Sequence, residues 1–241
     1  MTMHRIWRKL SKIVFLLLFV NVIEHVCAQN GRLFFSVYSD YLSKVYDISW
    51  KRPKGFTDLH TSIYWSPCGK KSSTLSYNFI FRSKDADCMI MYPEIGLTYF
   101  PKNKIKMINI KRLIYGDLGC IGKDGILQES AVREFEERVI ILSSDDAKKF
   151  FNADSVHVCT IPLEQPYQGK YPYCTGIYVS KQNRPDMYFK CFFTKRGKQK
   201  EDEYLGKLYK AIGYRNENWT YDDEKYVQEN YKLYLKKRSN K

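Results

Sequence analysis

The chain predicts an α+β fold, a mostly antiparallel sheet with one short internal helix and two C-terminal helices. Leu75, Tyr77, Phe79 and Phe81 alternate with other side chains at the period of a strand with one buried face. Tyr173 to Ser180 and Met187 to Thr194 read as an antiparallel pair turned through Lys181 to Pro185. Two acid-led apolar patterns close the chain, as helices would.

In chain order, strands are expected at Arg32 to Tyr38, His60 to Trp65, Leu75 to Phe81, Cys88 to Tyr92 and Lys104 to Ile110. Pro93 and Gly96 break the apolar stretch between Met89 and Phe100, because proline cannot donate to a ladder. Val139 to Leu142 is expected as a short buried strand. Ser143, Ser144, Asp145 and Asp146 then supply a hydroxyl cap and early carboxylates for the internal helix, and Asn152 and Asp154 stop it. Ser155 to Ile161 returns as a strand. In the hairpin that follows, Met187, Phe189, Cys191 and Phe193 share one face. Glu201, Asp202 and Glu203 open a helix whose face carries Leu205, Leu208 and Ile212, with Gly213 as its cap. The last helix starts near Thr220 and aligns Val227, Tyr231, Tyr234 and Leu235 in one stripe. A single mature domain over residues 29–241 accounts for these elements, with a sub-boundary near Gly125.

The first twenty-eight residues have the grammar of a secretory signal peptide. Arg5, Arg8, Lys9 and Lys12 precede the apolar run Ile13 to Val20, and Val26-Cys27-Ala28 supplies the small-residue end. That run is shorter than the roughly 20 apolar residues a membrane span requires. Cleavage after Ala28 places Gln29 first and the protein in the periplasm, on the cell surface or outside the cell. Between Ile13 and Gln29 the leader resembles those of exported proteins of Gram-negative bacteria, a likeness confined to the leader. The strand, helix and strand of Glu136 to Ile161 are similar to the small mixed domains of bacterial envelope proteins such as receptor plugs, at the level of fold only.

Loss of the leader removes four basic residues and one acidic one, taking the formal net charge from +14 to +11. Such a balance favours acidic partners: nucleic acid, anionic lipid headgroups or acidic glycans. No motif for specific nucleic-acid recognition accompanies it. Cys68, Cys88, Cys120, Cys159, Cys174 and Cys191 remain, an even number that permits disulfides without fixing their pairing. No two have the short spacing of a redox pair or of half a zinc site, so neither metal nor cofactor is expected.

Two function classes follow. A non-enzymatic module would contact an anionic polymer or envelope protein through its basic face and the aromatics Trp65, Tyr167, Tyr171 and Tyr173, with Lys170 among them. Those rings either stand on a loop as a binding platform or cover the sheet edge. A ribonuclease-like hydrolase would use His60 and His157 as base and acid, which requires them to converge with a cation on one phosphate. His157 and Cys159 also share a strand face, the minimum for a thiolate and imidazole pair. The glycines at 116, 119, 122 and 125 lack the lysine and hydroxyl ending of a phosphate loop and read as turns.

Overall fold

The computed structural model describes residues 34–65, 75–93, 109–122 and 124–239. The leader, Cys68 and most of the strand expected at Lys104 to Ile110 lie outside the described residues. The fold is α+β, built on a large antiparallel sheet with helices on both faces.

The first described element is a helix, α1 (Phe35–Val45), where a strand is expected. Tyr38, Tyr41, Leu42 and Val45 recur at helical spacing and all four are buried, a period that a window ending at Tyr38 cuts off. Strands β1 (Ile48–Trp50), β2 (Phe56–Asp58), β3 (Ile63–Trp65), β4 (Leu75–Ser83) and β5 (Cys88–Pro93) follow. Next come α2 (Ile110–Asp117) and α3 (Ala131–Arg138), two helices absent from the expected pattern. Asn109 caps α2, its side chain accepting from the Arg112 amide at 3.0 Å. Charge dominates α3, which turns only Ala131 and Phe135 toward the core and so leaves little apolar signal.

Strand β6 (Val139–Ile141) leads into α4 (Ser144–Phe151), β7 (Ser155–Ile161), β8 (Tyr173–Ser180) and β9 (Met187–Phe193). The short α5 (Lys195–Lys198), then α6 (Glu201–Tyr209), β10 (Ile212–Tyr214) and α7 (Asp223–Ser239) complete the chain. Gly213 lies inside β10 rather than capping α6, which ends at Tyr209 with Lys210 as its C-cap.

The eight-stranded sheet has the order β2-β4-β5-β9-β8-β7-β6, with β3 also on β4. Pairing of β5 with β9 carries hydrogen bonds across position 125. Strand β6 forms the far edge, and Ile140 and Ile141 are exposed there instead of buried.

Both faces of the sheet are covered, so its central strands read as nearly continuous apolar runs. One face carries Phe79, Phe81, Ile90, Phe189 and Phe193 beneath α1, α4 and α6. The other carries Met89, Met91, Cys159, Cys174, Tyr178 and Phe192 beneath α2 and α3. Cys88, Cys120, Cys159, Cys174 and Cys191 are all buried, unbonded thiols.

Candidate functional site

Three sets of polar groups merit comparison: the expected site residues, a sealed charge cluster under α2, and an open groove on the opposite side of the sheet.

The two histidines do not converge. His60 follows β2 with an exposed ring, its Nδ1 3.5 Å from Asp58 Oδ2. His157 lies on β7, five strand steps away, or roughly 24 Å at about 4.8 Å per step. The shared site of a two-imidazole hydrolase is therefore not formed. Half-buried beside the Phe135 ring, His157 has its pKa lowered by burial and by the Lys111 charge. Cys159 does lie on the same sheet face. Burial pushes its thiol up to about 12, which leaves a neutral thiol rather than a nucleophilic thiolate near neutral pH.

The expected aromatics divide. Trp65 packs edge-on against Phe192 at 4.9 Å, and Tyr167 lies 4.7 Å from the same ring. Tyr171 is buried and its hydroxyl donates to the Ala86 carbonyl at 3.1 Å. These three rings cover the sheet instead of standing free. Lys170 and Tyr173 remain exposed, with Lys170 Nζ 5.4 Å from the Tyr171 ring centre.

Within the second core, Lys190 enters from β9 with a fully buried side chain and pairs with Asp117 at the end of α2, whose side chain is 2 % exposed. Tyr178, from β8, donates to Asp117 and accepts from Lys190 Nζ at 2.7 Å. Lys190 also sits 4.3 Å from the Tyr178 ring centre. Each polar group thus meets a partner, as burial of a charge demands. With no exposure to solvent, this cluster holds α2 onto the sheet and offers nothing to a substrate.

The groove is assembled from chain segments far apart in sequence. Strands β1 and β10 pair in register, Ser49 opposite Gly213, and the Lys51 amide donates to the Ala211 carbonyl at 2.7 Å. Gly213 lets β10 approach α4 directly, since a Cβ there would lie 3.0 Å from the Phe151 carbonyl oxygen. The Ser143 hydroxyl accepts from the Asp146 amide at 3.1 Å at the start of α4, and Asn152 ends that helix in a left-handed conformation (φ 52°). Asp47, also left-handed, accepts from the Asn216 amide at 2.7 Å and anchors the ribbon. Arg184, stacked 4.4 Å from the Trp219 ring centre, donates to the Tyr46 carbonyl at 2.9 Å.

Between these parts lies a hollow of about 270 Å³. Lys51, Lys148, Lys149 and Lys210 line it, together with Phe150 and Tyr209, and no carboxylate does. The Phe150 and Tyr209 rings stack at 5.0 Å. Lys148 pairs with Glu217 outside the hollow; hydrogen bonds from Lys148 and Lys181 hold that carboxyl down at about 2. Among the described residues, Lys51, Lys149 and Lys210 have no ion-pair partner. A second hollow, about 480 Å³, lies on the glycine-rich loop. Asp124 and Glu129 line it, a poor match to an anion cradle.

Among the described residues no cluster of histidine, cysteine and carboxylate groups could hold a metal ion, and no helix is long and apolar enough to cross a membrane. No protein-family model, curated protein or solved structure matches the chain.

Proposed function

We propose that the protein is a non-enzymatic exported module that binds an anionic polymer of the cell envelope in the lysine-lined groove. The carrying observation is four lysines and no carboxylate around one hollow. Two helix ends, those of α4 and α6, approach the groove, and each contributes about half a negative charge. Glu217 neutralises part of Lys148. Four ammonium groups exceed these negative contributions by roughly two charges, so the groove attracts anions. Phe150 and Tyr209 add a half-buried aromatic wall suited to the face of a sugar ring, which favours an acidic glycan over a small inorganic ion. The signal-like leader supports export, and the +11 charge of the mature chain suits an anionic surrounding.

Titration of the purified protein with polygalacturonate and with heparin tests this reading. Binding at low salt is expected, with loss at about 0.5 M salt because exposed charges are then screened. Lys148→Gln/Lys149→Gln/Lys210→Gln should weaken binding at least about tenfold, some 1.4 kcal/mol. Equal affinity in that variant, or indifference to salt, overturns the proposal.

A further inference from the structure

Of the four lysines around the groove, Lys148 alone is held in an ion pair among the described residues. Its Nζ donates to Glu217, and the two side chains are 55 and 52 % exposed. The same carboxylate accepts from a second ammonium on its inner side. Lys181, whose side chain is 6 % exposed, donates to Glu217 at 3.0 Å and to the Asn152 carbonyl at 2.7 Å. The loop that carries Glu217 is fixed by the two residues before it. The Arg215 amide donates to the Asp47 carbonyl at 3.0 Å, the Asn152 side chain donates to the Arg215 carbonyl at 3.0 Å, and the Asn216 side chain donates to Asp47 Oδ1 at 2.9 Å. Glu217 is thus a positioned counter-charge at the edge of the groove. Hydrogen bonds from two ammonium groups hold its carboxyl down at about 2, so it stays ionised at neutral pH.

The two pairs on this carboxylate are unequal. Buried Lys181 cannot leave it without stranding an ammonium away from water. The exposed Lys148 pair, screened by solvent, opposes release of its lysine by a factor of about five at most. An anionic polymer brings several charges to the groove at once and wins that competition. We propose that Glu217 is a built-in competitor of the ligand: it holds Lys148 back in the free protein, and a bound anion draws Lys148 away while Glu217 stays on Lys181. The inference rests on the anion-binding reading of the groove and adds its regulation. Lys51, Lys149 and Lys210 are standing contacts, whereas Lys148 becomes one only on release.

Titration with polygalacturonate at low salt, comparing the natural chain with its variants, tests it. Glu217→Gln, whose amide oxygen still accepts from Lys181, should tighten binding about two- to fivefold. Lys148→Gln should weaken binding about twofold in the natural chain and about fivefold or more in the Glu217→Gln background, where the lysine has no competitor. Glu136→Gln removes the same charge from an exposed position on α3, across the sheet, and should change affinity less than about 1.5-fold. Thermal melts followed by circular dichroism verify that each variant is folded. Unchanged or weaker binding by Glu217→Gln overturns the proposal, and so does an equal cost of Lys148→Gln in both backgrounds. If the natural chain binds in the groove under either of those outcomes, the anion-binding reading survives without this regulation. Failure of both the natural chain and Glu217→Gln to bind overturns the two together.

Discussion

Lys190 and Lys210 carry the same ammonium group twenty residues apart, under opposite conditions. The first is fully buried against Asp117 and Tyr178. The second opens into a groove with no carboxylate. A buried charge is saturated by its neighbours and contributes to architecture, whereas exposed cations gathered without counter-charges remain available to a ligand. Sequence composition counts both alike. Their surroundings separate them.

The largest expected effect breaks the sealed cluster. Asp117→Ala leaves the Lys190 ammonium buried without its carboxylate and should cost about 3–5 kcal/mol in urea unfolding. Replacing both partners, as Lys190→Met/Asp117→Leu, should recover about half of that loss, because the stranded charge is gone while the buried Tyr178 hydroxyl loses its partners. A double variant as unstable as Asp117→Ala would show that packing, not charge pairing, fixes this region.

Asp186 provides an intermediate case, a carboxyl buried without an ionic partner. Its two oxygens find no partner of good hydrogen-bond geometry among the described residues. Burial pushes the carboxyl up to about 6, with the nearby Ser180 side chain acting the other way. Because the folded-state pKa is raised, the favourable contribution is complete below the ordinary value of 3.8 and is lost as pH rises to about 6. That interval corresponds to roughly 3 kcal/mol. Asp186→Asn should therefore stabilise the protein by up to this amount at pH 8 and by almost nothing at pH 3.5. Urea midpoints at the two pH values check the sign, and equal gains at both would contradict it.

Smaller still is the effect of the groove lysines on folding. Lys148→Gln/Lys149→Gln/Lys210→Gln should shift stability by about 0.5 kcal/mol or less, since these side chains are exposed. A loss comparable to that of Asp117→Ala would place them in the architecture after all. The thiols complete the series: Cys88, Cys120, Cys159, Cys174 and Cys191, all buried, should react little with Ellman's reagent in the native protein, and denaturant without reductant should expose at least these five.

The antiparallel sheet was the most legible part of the sequence. Strands β7 and β8 have the expected bounds, and Met187, Phe189, Cys191 and Phe193 share a face, because alternation and turn residues act locally. Helix α1 shows its period only beyond Tyr38, where Tyr41, Leu42 and Val45 join the buried face. Helix α7 has two apolar sides, Leu233 on one and Val227, Tyr231 and Leu235 on the other, and periodicity does not say which meets the core. A lone lysine amid the apolar residues of β9 was the available sign of the sealed cluster. The groove gave no comparable sign. Its lysines come from three separate segments, each ordinary alone, and only the meeting of β1, β10, α4 and α6 concentrates them.

A nuclear magnetic resonance titration with a short acidic oligosaccharide tests the central claim most directly. The account predicts saturable shifts in the backbone amides of Lys51, Lys148, Lys149, Lys210 and Gly213, with the α2 amides near Asp117 unmoved. Shifts that leave the groove untouched while appearing elsewhere on the basic surface would contradict it.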